Sequence, residues 1–150
     1  MAQHQLIHNR KASFDFEIVE WLMAGIELKG HEVKSLVSHH GSLEGSFVSI
    51  RGLEAFLLNL NLPPYQAANA PKDYDPLRAR KLLITKLEIE RLAEIEHKKG
   101  LTIIPLGLYL VGRKIKVEIA IVKGKKKFDK RQTLRERTSK REIERTLKEQ

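Results

Sequence analysis

Two runs late in the chain leave it few ways to fold. LTIIPLGLYLV (101–111) and KIKVEIAIV (114–122) are separated only by Gly112-Arg113. In the second run Ile115, Val117, Ile119 and Ile121 alternate with Lys116, Glu118 and Ala120. That two-residue period places one row on a core and the other on the opposite face of a sheet. Long runs across a two-residue glycine turn predict an antiparallel hairpin. A hairpin this apolar needs further strands and helices to cover it.

The rest of the chain supplies them. Phe14, Phe16 and Ile18 alternate with Asp15, Glu17 and Val19, which predicts a strand to about Trp21. Ala24-Gly25 predicts a bend, and Ile26 and Leu28 a second strand ended by Gly30. Residues 32–39 suit a short helix in which Val33, Leu36 and Val37 share a face, with Gly41 as its stop. Runs 46–51 and 54–60, joined at Arg51-Gly52, predict a second hairpin that Pro63-Pro64 ends. Residues 66–75 form a long loop of the kind that carries function. Thr85-Lys86-Leu87-Glu88 fits a capping box, followed by an apolar stripe of Leu87, Ile89, Leu92 and Ile95. These runs amount to about six strands and two helices, and the expected fold is β-dominated: a small antiparallel β-barrel with flanking helices over its open ends, the five-stranded oligonucleotide-binding barrel being the leading candidate.

At 150 residues and 41% hydrophobic, the chain suits one core-forming domain. Having no cysteine, it has neither disulfides nor thiolate metal sites. The N-terminus lacks the apolar region of a secretory signal, and no apolar run approaches the ~20 residues that span a bilayer. A cytoplasmic location and no membrane partner are expected. The net charge of +9 is uneven: residues 123–150 hold 12 basic and 5 acidic side chains, a net of +7. Residues 1–122 therefore carry only the remaining +2. A near-neutral body with a cationic arm points to phosphates, nucleic acid before membrane. Residues 133–148 have good helix formers but few apolar anchors. The arm is expected to be disordered when free and helical against a polyanion. The chain thus divides into a body, 1–123, and a basic tail, 124–150.

Catalytic and metal chemistry find little footing. His4 and His8 have the i, i+4 spacing of zinc ligands, but in a terminus with no core around them. A ribonuclease built on His31 and Glu32 lacks any supporting motif, and no phosphate-binding glycine loop is present. No catalytic residue, metal or cofactor is expected. Three basic clusters remain: Asn9-Arg10-Lys11, Arg78-Ala79-Arg80-Lys81, and the run beginning at Lys123. Tyr65, Tyr74 and Phe128 lie in or beside loops, where aromatic rings stack on bases. Arg78 and Arg80, two apart in an extended segment, are expected to face the same way as a phosphate clamp. A structural ribosomal protein with a threaded basic extension fits the composition nearly as well.

Five stretches then carry a resemblance: Gly30-His31-Glu32-Val33-Lys34-Ser35-Leu36, Asn9-Arg10-Lys11-Ala12, the run DPLRARKLL (75–83), Pro105-Leu106-Gly107-Leu108-Tyr109, and GKKKFDKR (124–131). Taken in chain order they resemble the motifs of the bacterial tmRNA-binding family, small protein B. The resemblance implies an oligonucleotide-binding barrel and a monomer when free. It implies that the chain binds the tRNA-like domain of tmRNA and brings it, with GTP-bound elongation factor held through tmRNA, to stalled ribosomes, without being an enzyme. The implied RNA contacts are Asn9, Arg10, Lys11, Glu32, Lys34, Ser35, Arg78, Arg80, Lys81, Lys123, Lys125 and Lys126. Glu32 would accept hydrogen bonds from a base or ribose. Phe128, Asp129, Lys130 and Arg131 would meet the decoding region. Arg135, Arg137, Lys140 and Arg141 would lie in a helix sensing the empty messenger channel. The chain departs from the family at Val37, where many members have arginine and where His39 or His40 substitutes in part. It departs again at Phe128, often Tyr or His.

Overall fold

The computed structural model of the chain describes residues 3–65 and 71–124, and the expectations for 66–70 and the tail beyond Gly124 lie outside them. Strands β1 (Gln3–His8), β2 (Phe16–Ile26), β3 (Phe47–Arg51), β4 (Glu54–Leu58), β5 (Arg80–Leu83), β6 (Leu101–Val111) and β7 (Lys114–Gly124) pair antiparallel. Helices α1 (Ala12–Asp15), α2 (Gly30–Val37) and α3 (Lys86–Glu96) complete the described elements. The strands form one sheet in the order β1-β6-β7-β2-β5-β4-β3. Edge strand β3 comes back against β6 without ladder pairing, so the sheet curls on itself, and α3 packs on both.

The β6–β7 hairpin is the centre of this sheet. It runs in register from Leu101↔Lys123 to Val111↔Lys114, and Gly112 takes the first turn position with φ +64°. Val117, Ile119 and Ile121 face the main core with Leu36, Leu57, Leu82 and Leu92, as the alternation predicts. The opposite face is also partly buried: Ile104, Leu106, Ala120 and Val122 form a second cluster under Ala12 of α1. Pro105 sits inside β6, where a missing N–H would normally break a ladder. Its position is a register shift between Pro105 and Gly107, and the β1 ladder ends at His8↔Gly107. A Cβ on Gly107 would lie 3.2 Å from the Ile7 carbonyl and 3.2 Å from the Tyr109 ring, so β1 approaches here because the residue is glycine.

Several expectations change. The sheet has seven strands where about six were expected: β1 and β5 were not anticipated, and the two strands expected on either side of Ala24-Gly25 are one, β2. Ala24-Gly25 does not bend the chain: β2 runs straight through it, and its irregularity lies between Ile18 and Glu20. Phe14 and Asp15 belong to α1 rather than to a strand. The buried face of α2 is Glu32, Ser35 and Leu36, while Val37 is 48% exposed. The capping box of α3 forms as expected, with the Glu88 N–H donating to Thr85 Oγ1 at 3.2 Å and the Thr85 N–H to Glu88 Oε1 at 3.1 Å. Its stripe is narrower than expected: Leu92 and Ile95 are buried, but Leu87 is 78% exposed. No described helix is long and apolar enough to cross a membrane.

The two ends of α3 therefore respond differently to truncation. Leu92→Ala is expected to lower stability by about 2–5 kcal/mol, and Leu87→Ala by less than about 0.5 kcal/mol. Urea midpoints of the two variants against the parent chain check this; equal losses would return Leu87 to the core.

Candidate nucleic-acid interface

Residue by residue, the acid of α2 turns inward. Glu32 is fully buried near the start of α2, where its Oε1 accepts the Lys29 N–H at 2.7 Å. Its carboxylate also pairs with two guanidiniums. Arg78 donates from Nε to Oε2 at 3.0 Å and from Nη2 to Oε1; Arg80 donates from Nε to Oε2 at 2.8 Å. Arg80 is itself fully buried, and its other donors reach the carbonyls of Leu60 at 2.6 Å and Pro76 at 3.0 Å and the Tyr74 hydroxyl at 3.1 Å. The Tyr74 hydroxyl lies 2.8 Å from the Leu62 carbonyl. Ser35, one turn on from Glu32, donates to the Pro63 carbonyl at 2.5 Å. One helix face thus ties down the chain between Leu60 and Arg80.

Three expected RNA contacts are corrected by this geometry. Glu32, Ser35 and Arg80 are all 0% exposed, and their polar groups are spent inside the protein. Arg78 and Arg80 do face the same way, but toward Glu32 rather than toward a phosphate; only Arg78 keeps a partly exposed side chain, at 26%. Nor is Glu32 open to a substrate, which removes the His31–Glu32 ribonuclease. His31 packs edge-on against Tyr74, with ring centroids 4.5 Å apart, and Tyr74 is thereby held in the cluster rather than offered to a base.

The other predicted residues lie on the surface. Arg10 and Lys34 are exposed and make no ion pair among the described residues. Asn9 donates to the Pro105 carbonyl at 2.9 Å, so its amide anchors the β1 end. Lys11, Lys81 and Lys123 carry acidic partners at 2.6, 3.6 and 3.5 Å: Glu44, Glu54 and Glu17. The hydrogen bond and charge of Glu44 hold the Lys11 ammonium above its ordinary value. Lys125, Lys126, Phe128, Asp129, Lys130, Arg131, Arg135, Arg137, Lys140 and Arg141 lie outside the described residues. Among those described, no group of three or more His, Asp or Glu side chains is placed to hold a metal.

A surface that the basic clusters did not predict lies on the outer face of the sheet. Directly paired residues share a face, so Leu83, Gly25, Lys116, Tyr109 and Gln5 form one row across five strands. A Cβ on Gly25 would meet the Leu83 side chain at 3.1 Å, so Leu83 lies over the glycine beside Lys116. The Tyr109 hydroxyl accepts from Gln5 Nε2 at 3.3 Å; burial first, and then Glu118, raise its phenol, which stays protonated at neutral pH. Further along β2 the same face carries Trp21, 65% exposed, and Ile18, 39% exposed. An indole, aliphatic side chains and a lysine on an open sheet face are the elements with which barrels of this type stack bases and hold a backbone. The available signal was Trp21 and Ile18 on a strand whose other face already meets the core.

The pH dependence of stability follows from the Glu32 cluster. Burial pushes the Glu32 carboxyl up, but hydrogen bonds from Arg78, the Lys29 N–H and Arg80 outweigh it and hold the group at about 2 against an ordinary 4.5. Since the folded value lies below the unfolded one, this stabilisation is complete above pH 4.5 and drains as pH falls toward 2. Glu32→Gln leaves the buried Arg80 without its counter-ion and is expected to cost about 3–5 kcal/mol at pH 7. Urea midpoints at pH 7 and at pH 3 should show that loss at the higher pH and a smaller gap from the parent chain at the lower. An equal gap at both would dissociate the carboxylate from the fold's acid sensitivity.

Comparison with known proteins places the chain in a family. The family model described as SmpB protein matches residues 6–149. An SsrA-binding protein of Caldicellulosiruptor saccharolyticus is 49% identical over 141 residues, 94% of this chain and 89% of the relative. An SsrA-binding protein of Mesoplasma florum is 46% identical over 145 residues, 97% of this chain and 95% of the relative. A solved structure described as "tmRNA-SmpB: a journey to the center of the bacterial ribosome" is similar at a TM-score of 0.70 and 41% identity, covering 83% of this chain and 87% of that one. With a family match that runs from within β1 to beyond β7 and relatives nearly half identical over almost the whole chain, the chain belongs to the SmpB protein family.

Proposed function

We propose that this chain is the RNA-binding factor of trans-translation. It binds the tRNA-like domain of tmRNA, the SsrA RNA, and brings it to stalled ribosomes so that the nascent chain is tagged and the ribosome released. It performs no chemistry itself and acts in the cytoplasm, as a monomer until it meets RNA. GTP-bound elongation factor joins the assembly through tmRNA. The observation that carries this reading is the outer-face row of Leu83, Lys116 and Tyr109 with Trp21 nearby, on a chain whose relatives bind SsrA. Arg10 and Lys34 add exposed positive charge to the described body. Lys11, Lys81 and Lys123 exchange exposed carboxylates for phosphates at small cost, because such surface pairs are worth only about 0–1 kcal/mol.

The chain then divides by task. Residues 1–123 hold the tmRNA. Residues 124–150 serve the ribosome, with Lys125 and Lys126 still near the RNA. Phe128, Asp129, Lys130 and Arg131 meet the decoding region, and Arg135, Arg137, Lys140 and Arg141 lie along a helix in the empty messenger channel. The net +7 of residues 123–150 supports a polyanionic partner.

Two measurements test this. Binding of a tRNA-like-domain transcript should weaken by about 1–3 kcal/mol in Trp21→Ala, the usual worth of a stacked base. Lys116→Gln should lower the slope of log affinity against log salt by about 0.7–0.9, while Arg80→Gln should lower thermal stability instead. Unchanged affinity in the first two variants would move the RNA off this face. A chain ending at Lys127 should bind the same transcript normally yet fail to support tagging on ribosomes stalled at a truncated message; normal tagging would overturn the role of the tail.

A further inference from the structure

Beside the end of β7 the molecule carries an apolar groove. β1 pairs with β6 only as far as Gly107, so the first half of β6 has no ladder partner on that side among the described residues. Thr102 and Ile104 of this stretch line a groove of about 430 Å³ that α1 and the start of β3 also border. Its apolar lining is Ala12, Phe16, Phe47 and Ile104, and Asp15 and Glu44 add two carboxylates. Ala12, Ile104 and Phe16 belong to the second apolar cluster, whereas Phe47 is 37% exposed. The volume lies within the ~300–1,000 Å³ of clefts that hold organic groups.

The chain itself leads an aromatic side chain to this place. Gly124, the last residue of β7, pairs directly with Phe16, and paired strands lie about 4.8 Å apart. β7 therefore ends next to a residue of the groove wall. The sequence continues Lys125-Lys126-Lys127-Phe128-Asp129-Lys130-Arg131. Phe128 is the first large apolar residue after β7, and the four residues from Gly124 give it a reach of up to ~14 Å. That exceeds the strand spacing with length to spare. So short a tether holds the ring near the groove at an effective concentration on the order of millimolar, and weak affinity is enough to fill it. The charges match as well. Three lysines precede Phe128 and Lys130-Arg131 follow it, while the groove supplies Asp15 and Glu44. Glu44 meets Lys11 at 2.6 Å in an exposed pair, which a second cation can join.

We propose that this groove is a docking site for the chain's own tail, in which the Phe128 ring packs against Phe16, Phe47 and Ile104 and the lysines before it approach Asp15 and Glu44. The two phenylalanines supply the offset or edge-on partners that an aromatic ring prefers, and removing the ring from water drives the contact. Residues 133–150 take no part in it. The site goes beyond the RNA-binding reading and forms without RNA. Under the proposed function the same ring meets the decoding region, so the tail leaves this groove when the ribosome takes it up.

Nuclear Overhauser spectra of the full chain without RNA test the site. Cross-peaks are expected from the Phe128 ring protons to the methyl groups of Ile104 and Ala12. Phe128→Ala should shift those methyl resonances and leave the methyl groups of Leu36 and Leu57, in the main core, where they were. Residue 128 lies beyond the last strand, so the substitution spares the body. Absence of the cross-peaks, or identical Ile104 and Ala12 resonances in the parent chain and Phe128→Ala, overturns the site. In a mixture of isotope-labelled and unlabelled chains, cross-peaks that run between chains give the groove to a second copy and overturn the intramolecular assignment; cross-peaks confined to one chain support it.

Discussion

One carboxylate holds the excursion between β4 and β5. Glu32 takes hydrogen bonds from Lys29, Arg78 and Arg80, and Arg80 passes the restraint on to Leu60, Tyr74 and Pro76. Burying three ionised groups is expensive unless their lone pairs and protons are nearly all used. Here they are, because a short helix and an extended strand meet at a spacing that matches a carboxylate to two guanidinium forks. The arrangement lets β5 enter the sheet between β2 and β4 although twenty-one residues separate it from β4 in sequence. It also sets the position of Leu83 on the outer face, three residues beyond Arg80 on the same short strand.

What the sequence reveals here depends on whether its signal is local. The β6–β7 hairpin, the β3–β4 hairpin and the capping box of α3 were legible because their partners are near neighbours in the chain. β1 was not: Gln3–His8 contains two apolar residues, Leu6 and Ile7, and both are buried only because a register shift lies between Gln5 and Ile7. Such a shift depends on β6, a hundred residues away. The Ala24-Gly25 pair looked like a bend, yet Gly25 lies within a regular strand and gives room to Leu83.

Alternation correctly aligned Arg78 with Arg80, but period alone does not distinguish the inside of a sheet from the outside. The deciding partner, Glu32, is nearly fifty residues upstream. Four exposed basic side chains of the described body stand in pairs: Lys11–Glu44, Lys81–Glu54, Lys123–Glu17 and Arg91–Glu20. Trp21 and Ile18 on β2 and Leu83 on β5 are exposed apolar side chains that nothing in the described fold covers, and the proposed interface rests on them.

This division has a consequence for selectivity. Residues 1–122 carry a net of only +2, so under the proposed function the +7 of residues 123–150 dominates long-range encounter with any RNA. Long-range charge is indifferent to which RNA it finds. Under the proposed function, discrimination falls to groups that act only on contact: the Trp21 indole, the Leu83 and Tyr109 side chains beside Lys116, and donors of fixed direction such as Arg10. Those groups stand on strands and on a helix-anchored turn rather than on the long loop, so their geometry is set before RNA arrives. A small protein can in this way couple an indiscriminate arm to a selective face, because rigidity in the face offsets what the arm lacks in specificity.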